Sequence, residues 1–198
     1  MDKRDLEQLL SDVADGAVAP AVALTRIQTA PTADLGFAQL DLSRGVRQGA
    51  GEVVYGAGKT AEQIAAIIEA LRDAGQERIL VTRLDSEKAA RTSELLDNGI
   101  DLGYVPDAQL ALVGGKPSPT GNGRIVVACA GTSDLPVAEE AALTAEFYGN
   151  EVDRLYDVGV AGLHRLLAHA EELAQAQVVI AIAGMEGALA SVVGGLVS

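Results

Sequence analysis

Asp157-Val158-Gly159-Val160-Ala161-Gly162-Leu163-His164-Arg165 joins a segment that is predicted to be a buried strand to one that is predicted to be a helix. Two other glycine-bearing stretches have the same position: Ala130-Gly131-Thr132-Ser133-Asp134 and Ala183-Gly184-Met185-Glu186-Gly187. In chain order we name them the first turn (130–134), the second turn (157–165) and the third turn (183–187). Successive strand-to-helix turns predict a parallel α/β sheet with all three turns at its carboxyl edge, where ligands bind.

The remainder of the second half fits this interpretation. Strands are predicted at 124–130, 151–156 and 177–183, and helices at 134–148, 160–174 and 187–197. Alternating strands and helices predict a three-layer, doubly wound parallel sheet with right-handed crossovers. The last helix is apolar nearly all round, so we expect another subunit to cover it and the protein to form a homo-oligomer.

A smaller α/β domain with leading helices is predicted over residues 1–113. Its predicted helices are 2–13, 18–29, 86–96 and one that follows Gly56-Ala57-Gly58-Lys59-Thr60, and its predicted strands are 40–42, 52–55, 78–82, 102–105 and 109–113. Residues 34–37 are predicted to be a loop. Residues 114–123 are rich in Gly and Pro, which predicts a linker before a second domain at 124–198.

The composition excludes several classes of protein. The formal net charge of −13 argues against nucleic-acid binding, because phosphates are neutralised by Lys and Arg. No apolar run has the ~18–20 residues of a membrane helix, and there is no signal peptide, so we expect a cytoplasmic protein without membrane contact. Residues 124–198 contain ten acidic residues, three Arg and no Lys. An anionic ligand there therefore depends on backbone N–H groups or on cations from the first half.

The first and second turns carry polar groups suited to binding. We expect Ser133 or Asp134 to cap the following helix through a side-chain oxygen. The amino end of that helix is either an anion site or an ordinary capped terminus. Arg165 can hold a phosphate or carboxylate as a fork, and for His164 a surface role stays open. No zinc site is predicted, because His164 and His169 lie five residues apart and so roughly 140° apart around a helix.

Glu186 is the ionisable residue of the third turn, among Gly184, Met185 and Gly187. Two interpretations stay open: a cap for the last helix, or a proton-transfer group. Apolar surroundings would raise its pKa into the range useful for a general acid or base.

Residues 131–141, 156–166 and 183–189, taken in order, resemble the LarB family, the pyridinium-3,5-biscarboxylic acid mononucleotide synthases of nickel-pincer cofactor biosynthesis. Asp41, Arg44, Arg47, Gly49 and the segments 52–56 and 58–60 resemble the amino-terminal signature of the same family. The catalytic half of that family is similar to aminoimidazole-ribonucleotide carboxylase. The resemblance covers residues 35–198 and implies the same α/β fold for the second domain.

The resemblance implies carboxylation of the pyridinium ring of nicotinic acid adenine dinucleotide by CO2, with hydrolysis of the phosphoanhydride to release AMP. It implies that Glu186 is the catalytic acid or base. The implied substrate-binding residues are Thr132, Ser133, Asp134, Asp157, Gly159, Gly162, His164, Arg165, Gly184, Met185, Gly187, Arg44, Arg47 and Lys59. No cofactor and no protein-bound metal are implied, although Mg²⁺ is compatible with the dinucleotide phosphates.

Members of the family also use a cysteine thiolate, carried by elements beyond the position of Ser198. The single thiol of this chain, Cys129, lies in a predicted strand, where we expect a small buried hydrophobe. We therefore expect this chain to be a truncated, cleaved or degenerate form that forms no thiol adduct and does not carboxylate, and a restored downstream segment to restore both.

Two other functions stay open at this point. One is aminoimidazole-ribonucleotide carboxylase of purine synthesis, which shares the sheet and a histidine-bearing second turn. The other is a non-catalytic dinucleotide-binding or assembly module, which the missing thiol favours. The amino-terminal signature and Met185-Glu186-Gly187 favour the LarB-type reaction over aminoimidazole-ribonucleotide carboxylase.

Overall fold

The structure, a computed structural model, describes residues 3–28, 32–97 and 99–197 and divides the chain into two compact units. The first unit comprises residues 1–103 and 111–114, and the second comprises residues 104–110 and 115–198. Residues 114–123, the predicted linker, contain no helix or strand. Among the described helices, none is both long and apolar enough to span a bilayer.

The first unit combines leading helices with a hairpin and a mixed sheet. Its helices are α1 (Lys3–Ala14), α2 (Pro20–Gln28), α3 (Arg44–Gln48), α4 (Ala61–Asp73) and α5 (Ser86–Leu95). The antiparallel hairpin consists of β1 (Thr32–Asp34) and β2 (Gln39–Asp41). The sheet has the order β3-β4-β6-β5, with β3 (Val53–Tyr55), β4 (Ile79–Thr82), β5 (Leu102–Val105) and β6 (Leu110–Val113). Strand β3 runs parallel to β4, whereas β4 and β6 are antiparallel.

Two short elements of this unit were not predicted. Strand β1 includes Asp34, which the sequence placed in a loop, and α3 has only five residues. Neither is long enough to show a hydrophobic period, which is the signal that sequence analysis uses. Residue 29, the last of the second predicted helix, lies outside the described residues.

Helix α4 begins where the sequence changes from glycines to an apolar repeat. The Thr60 hydroxyl accepts from the Gln63 N–H at 3.2 Å, and the Gln63 side-chain oxygen accepts from the Thr60 N–H at 3.0 Å. This reciprocal pair satisfies two of the free donors of the helix start. The helix then buries one face, formed by Ile64, Ile67, Ile68 and Leu71.

The second unit contains the predicted parallel sheet. Its strands are β7 (Arg124–Cys129), β8 (Glu151–Leu155) and β9 (Val178–Ile182), in the order β8-β7-β9. Both outer strands run parallel to β7, with Leu155 opposite Ala128 and Ile182 opposite Cys129. The three strands therefore end at nearly the same level, as expected from the sequence.

Helices cover both faces of this sheet. On one face, Ala138 and Ala142 of α6 (Leu135–Phe147) pack with Val127 and Cys129. The opposite face packs against the helices α7 (Leu163–Leu167), α8 (Ala170–Gln175) and α9 (Ala188–Leu196). The three-layer, doubly wound α/β fold predicted for the second half is confirmed.

The single helix predicted for residues 160–174 is wrong. This segment forms a 3₁₀ turn at Val160–Gly162, then α7 and α8, with His169 at the amino end of α8. The His169 Nδ1 lies 3.0 Å from the Glu172 Oε1. The argument that His164 and His169 lie on different sides of one helix therefore does not apply, because the two residues do not share a helix. Within the described ranges, no group of His, Cys, Asp or Glu is arranged to hold a metal ion.

A charged network joins α6 to β8. The Arg154 Nη1 donates to the Glu146 Oε1 at 2.5 Å, and its Nε lies 3.3 Å from both carboxylate oxygens of Glu139. The Lys116 Nζ donates to the Glu146 Oε2 at 2.7 Å, and the Tyr156 hydroxyl donates to Glu139 at 2.8 Å. Burial and the hydrogen bond to Glu139 raise the pKa of Tyr156, so this phenol stays neutral at physiological pH.

Glu146 is expected to make folding acid-sensitive. Burial raises its pKa, but hydrogen bonds from Arg154 and Lys116 outweigh burial, so that its pKa lies below the ordinary value of 4.5. A lowered carboxyl pKa stabilises the folded state above the unfolded pKa, and this contribution is lost as the pH falls through the folded pKa. The free energy of unfolding, measured with denaturant, should therefore fall by about 1 kcal/mol more in the wild type than in Glu146→Gln between neutral pH and pH ~3. Glu171→Gln, at an exposed position of α8, is the matched control, and identical pH profiles for all three proteins would contradict the prediction.

Candidate functional site

The three turns lie together at the carboxyl edge of the second unit's sheet. After β7 the chain leaves toward the face covered by α6, whereas after β8 and β9 it leaves toward the face covered by α7, α8 and α9. The turns after the two outer strands, β8 and β9, therefore lead to the opposite face of the sheet from the turn after the central strand β7. Open α/β sheets bind ligands at such a switch in direction, which here lies beside the first turn.

The second turn packs directly against the first. A Cβ at Gly159 would lie 2.7 Å from the Ala130 carbonyl oxygen, closer than real side chains come to backbone. The Val158 N–H donates to the Cys129 carbonyl at 3.0 Å, immediately after Asp157 takes a φ of +58°. Glycine at 159 is therefore required by the close approach of the two turns.

The first turn is joined to the third by a side chain. The Asp134 Oδ2 accepts from the Gly131 N–H at 3.1 Å, and its Oδ1 accepts from the Gly184 N–H at 3.0 Å. The prediction that Ser133 or Asp134 caps α6 through a side chain is wrong, because Asp134 stands at the N-cap without a side-chain cap bond. Its carboxylate turns back to the preceding glycine and to the neighbouring turn instead. Thr132 and Ser133 are exposed at the edge.

The second turn carries an ion pair. The Arg165 Nη1 donates to the Asp157 Oδ2, so the guanidinium is held at the edge. A Cβ at Gly162 would lie 2.7 Å from the Arg165 Nε, so glycine gives this side chain its room. His164 is exposed in the first turn of α7. The arrangement presents a guanidinium that is oriented by one carboxylate and open to solvent on its other side.

Glu186 is exposed at the tip of the third turn. The N-cap of α9 is Gly187, with a φ of +69° and no side-chain cap bond, so the interpretation of Glu186 as a cap is wrong. The expectation of an apolar environment is also wrong, since the neighbouring Met185 is 94% exposed. Glu186 is therefore a carboxylate that a ligand at the edge can reach.

Cys129 is fully buried at the end of β7. Burial raises the pKa of its thiol, and the nearby carboxylates of Asp134, Asp157 and Glu139 act in the same direction. A hydrogen bond from the Asp157 backbone opposes them without reversing the shift. A buried thiol with a raised pKa is inert as a nucleophile, as expected for this strand position.

The implied substrate contacts of the first unit are placed around β3. The Arg44 Nε donates to the Gln48 Oε1 at 3.1 Å, and its Nη1 lies 3.7 Å from the Glu52 Oε1. The Lys59 Nζ donates to the Tyr55 carbonyl at 3.0 Å, just before the cap of α4. Arg47 lies in α3, and its side chain is outside the described residues. The structure thus places Arg44 before β3 and Lys59 after it.

Gln76 is a residue of this unit that sequence analysis missed. Its Oε1 accepts from the Glu52 N–H at 3.1 Å, while its Nε2 donates to the carbonyls of Glu52 at 2.9 Å and Arg78 at 3.0 Å. A Cβ at Gly51 would lie 2.7 Å from this side chain. Gln76 therefore fixes the segment before β3 to the segment before β4. A lone Gln after a helix gives no sequence signal for such a bridge.

The charge at the carboxyl edge of the second unit is negative. Among its described residues, the turns present the carboxylates of Asp134, Asp157 and Glu186 against the single guanidinium of Arg165. Asp157 neutralises that guanidinium in part, so the remaining field attracts positive charge. The edge is therefore better suited to a cationic ring than to an anionic one.

The mixed α/β architecture, with ionisable turns at the carboxyl edge of a parallel sheet, is consistent with a fold like that of aminoimidazole-ribonucleotide carboxylase (PurE-like). Residues 32–114 match the sequence family described as LarB/PurE-like N-terminal domain, which supports the LarB/AIR carboxylase-like family. An uncharacterized protein of Methanocaldococcus jannaschii is 35% identical over 163 residues. That similarity covers 80% of this chain and 64% of the archaeal protein, so the chain spans less than two thirds of its relative.

Proposed function

We propose that this chain belongs to a carboxylase that adds CO2 to the pyridinium ring of nicotinic acid adenine dinucleotide and hydrolyses its phosphoanhydride, releasing AMP. The observation that carries the proposal is the convergence of three turns on one sheet edge with an accessible carboxylate, Glu186. The match of residues 32–114 supports a carboxylase of the LarB/AIR carboxylase-like type.

The charge of the edge favours a pyridinium substrate over aminoimidazole ribonucleotide. An N-substituted pyridinium ring carries a positive charge, whereas the aminoimidazole ring is neutral at physiological pH. Carboxylates near the ring attract a cationic pyridinium ring, whereas a neutral aminoimidazole ring gains no such charge–charge attraction. Glu186 and the Asp157 carboxylate are the acidic groups that we propose near the ring.

The phosphates of the dinucleotide need donors and cations of their own. We propose that Arg165 supplies a fork for one phosphate and that backbone N–H groups of the first and second turns supply further donors. Arg44, Arg47 and Lys59 of the first unit stay proposed substrate contacts. Mg²⁺ stays compatible with these phosphates, since a hard cation prefers oxygen ligands.

Glu186 has the role of proton acceptor in this proposal. As the family resemblance implies, a thiolate first adds to the pyridinium ring, and the enamine formed supplies the electron pair for the bond to CO2. For the ring to regain aromaticity, the thiolate must leave again and the carbon that bonded CO2 must lose its proton. An exposed carboxylate at the edge can take it, and the electron pair of the C–H bond returns to the ring. The thiolate that the family resemblance implies is not Cys129, which is buried.

Two measurements test the function. Calorimetry of the 198-residue chain should show binding of nicotinic acid adenine dinucleotide, and the protein from the complete reading frame should incorporate labelled CO2 into the dinucleotide and release AMP. Incorporation into aminoimidazole ribonucleotide instead would favour the purine enzyme. Binding without incorporation by the complete protein would favour a non-catalytic dinucleotide-binding or assembly module, and absence of binding would refute the proposal.

Assembly into a homo-oligomer is part of the same proposal. Helix α9 buries Leu189 and Val193 in its own unit, but Leu196 keeps 37% of its surface exposed. Covering the remaining apolar face would remove that surface from water. Light scattering at micromolar concentration should give a mass above the 20.3 kDa of one chain, and Leu196→Lys should shift it toward the monomer. A monodisperse wild-type monomer would contradict this prediction.

A further inference from the structure

We propose that Asp134 is a positioning residue whose carboxylate fixes the third turn, and with it Glu186, against the first turn. The inference rests on the proposed function and goes beyond it, because the family resemblance implied only that Asp134 lines the substrate pocket. The structure gives its carboxylate two backbone partners instead, one in each turn.

We call the two hydrogen bonds that Asp134 accepts from Gly131 and Gly184 the tie, and its geometry is specific to a carboxylate. Oδ2 accepts from the Gly131 N–H and Oδ1 from the Gly184 N–H, so both oxygens are used as acceptors by two turns that lie 50 residues apart in the chain. A carboxylate offers only acceptors, whereas an amide of the same shape offers one acceptor and one donor group. Asparagine at this position would therefore keep one bond and lose the other.

The third turn has few other restraints. Strand β9 ends at Ile182, whose carbonyl accepts from the Ala130 N–H, and α9 starts at Ala188 after a cap without a side-chain bond. Ala183 packs against the core of the unit, but among the hydrogen bonds of the described residues the one from the Gly184 N–H to Asp134 joins residues 184–187 to another turn. Met185 is almost fully exposed and adds no packing. The position of Glu186, two residues after Gly184, therefore depends on Asp134.

Glycine at position 184 leaves room for the hydrogen bond between Asp134 and the Gly184 N–H. A Cβ there would lie 3.0 Å from the Asp134 Oδ1, which is tighter than ordinary contact and would push the carboxylate aside. Two positions therefore control one contact, and each can be changed separately. Their effects on Glu186 should not add, since either change removes the same bond.

The first experiment follows the tie directly. In Asp134→Asn, amide hydrogen exchange of residues 183–187 should become about tenfold faster, while exchange in β7 and α6 stays unchanged. Asp153→Asn is the matched control, because Asp153 of β8 accepts a hydrogen bond from Arg124 of β7 and contacts no turn. Unchanged exchange at residues 183–187 in Asp134→Asn would overturn the proposal.

The second experiment separates positioning from substrate contact. In the protein from the complete reading frame, Asp134→Asn should lower kcat for CO2 incorporation by about 10–100-fold, because the acceptor is misplaced, and change the dinucleotide Kd less than twofold. Gly184→Ala should show the same pattern, and the double variant should be no slower than the slower single one. A raised Kd with unchanged kcat would overturn the proposal and make Asp134 a substrate contact.

The two experiments also distinguish failure of this inference from failure of the proposed function. Hydrogen exchange needs neither ligand nor turnover, so it tests the tie even if the wild type neither binds nor carboxylates the dinucleotide. An inert wild type would refute the proposed function, and the tie would then be decided by exchange alone. An active wild type with unaltered exchange and kcat in Asp134→Asn would refute the positioning role only.

Discussion

Glu186→Gln is expected to slow carboxylation by about 10²–10⁴-fold, measured as labelled CO2 entering the dinucleotide in the protein from the complete reading frame. The amide keeps the shape of the side chain but has no carboxylate to accept the ring proton. Because Glu186 is exposed and caps no helix, the substitution should leave the free energy of unfolding within about 0.5 kcal/mol of the wild type. Substrate affinity should change little.

Glu151→Gln is the control for this prediction. Glu151 starts β8 at the amino edge of the same sheet and pairs with Arg124 at 3.0 Å, far along the strand from the turns. Its replacement removes the same charge without touching the carboxyl edge. Near-wild-type rates for Glu186→Gln would show that the ring proton leaves to another acceptor.

Arg165→Ala is expected to weaken binding of nicotinic acid adenine dinucleotide by about 1.5–3 kcal/mol, the range of a hydrogen bond to a charged group. Asp157 orients the guanidinium before the ligand arrives, so little side-chain entropy is lost on binding. Calorimetry measures the difference directly. A contact with phosphate also requires that binding by the wild type weakens when salt is raised to about 0.5 M.

Arg124→Ala is the matched variant. It removes the same charge from the same unit, but Arg124 pairs with Glu151 and Asp153 at the amino edge of the sheet. If nonspecific attraction caused the loss of affinity, both variants would bind equally weakly. Equal affinity of Arg165→Ala and the wild type would remove Arg165 from the site.

The sheet of the second unit could be predicted because each strand is an apolar run that ends in a glycine-bearing turn. The break between α7 and α8 could not, because Leu163, Leu166 and Leu173 continue a helical period through it. The break lies at His169, where the chain turns between the two helices. Hydrophobic spacing reports which side of a segment is buried and does not report whether its backbone is continuous.

The candidate site was predicted in outline only. Parallel topology alone brings the three turns to one edge, and the sequence indicates this topology. The tie from Asp134 to the Gly184 N–H was not predictable, since its acceptor and donor lie in different turns and the donor is backbone. The environment of Glu186 was misjudged because apolar neighbours along the chain were taken as neighbours in space, whereas Met185 points into solvent.

The shielding of Cys129 has a practical consequence for spectroscopy. The chain has one cysteine, and that thiol is closed to water, so reagents that alkylate thiols should leave the folded wild type unlabelled. A Met185→Cys variant would then accept a fluorophore or spin label at a single chosen position on the third turn, with no need to delete the native residue. Such a label would report in real time when a ligand arrives at the edge and when it departs.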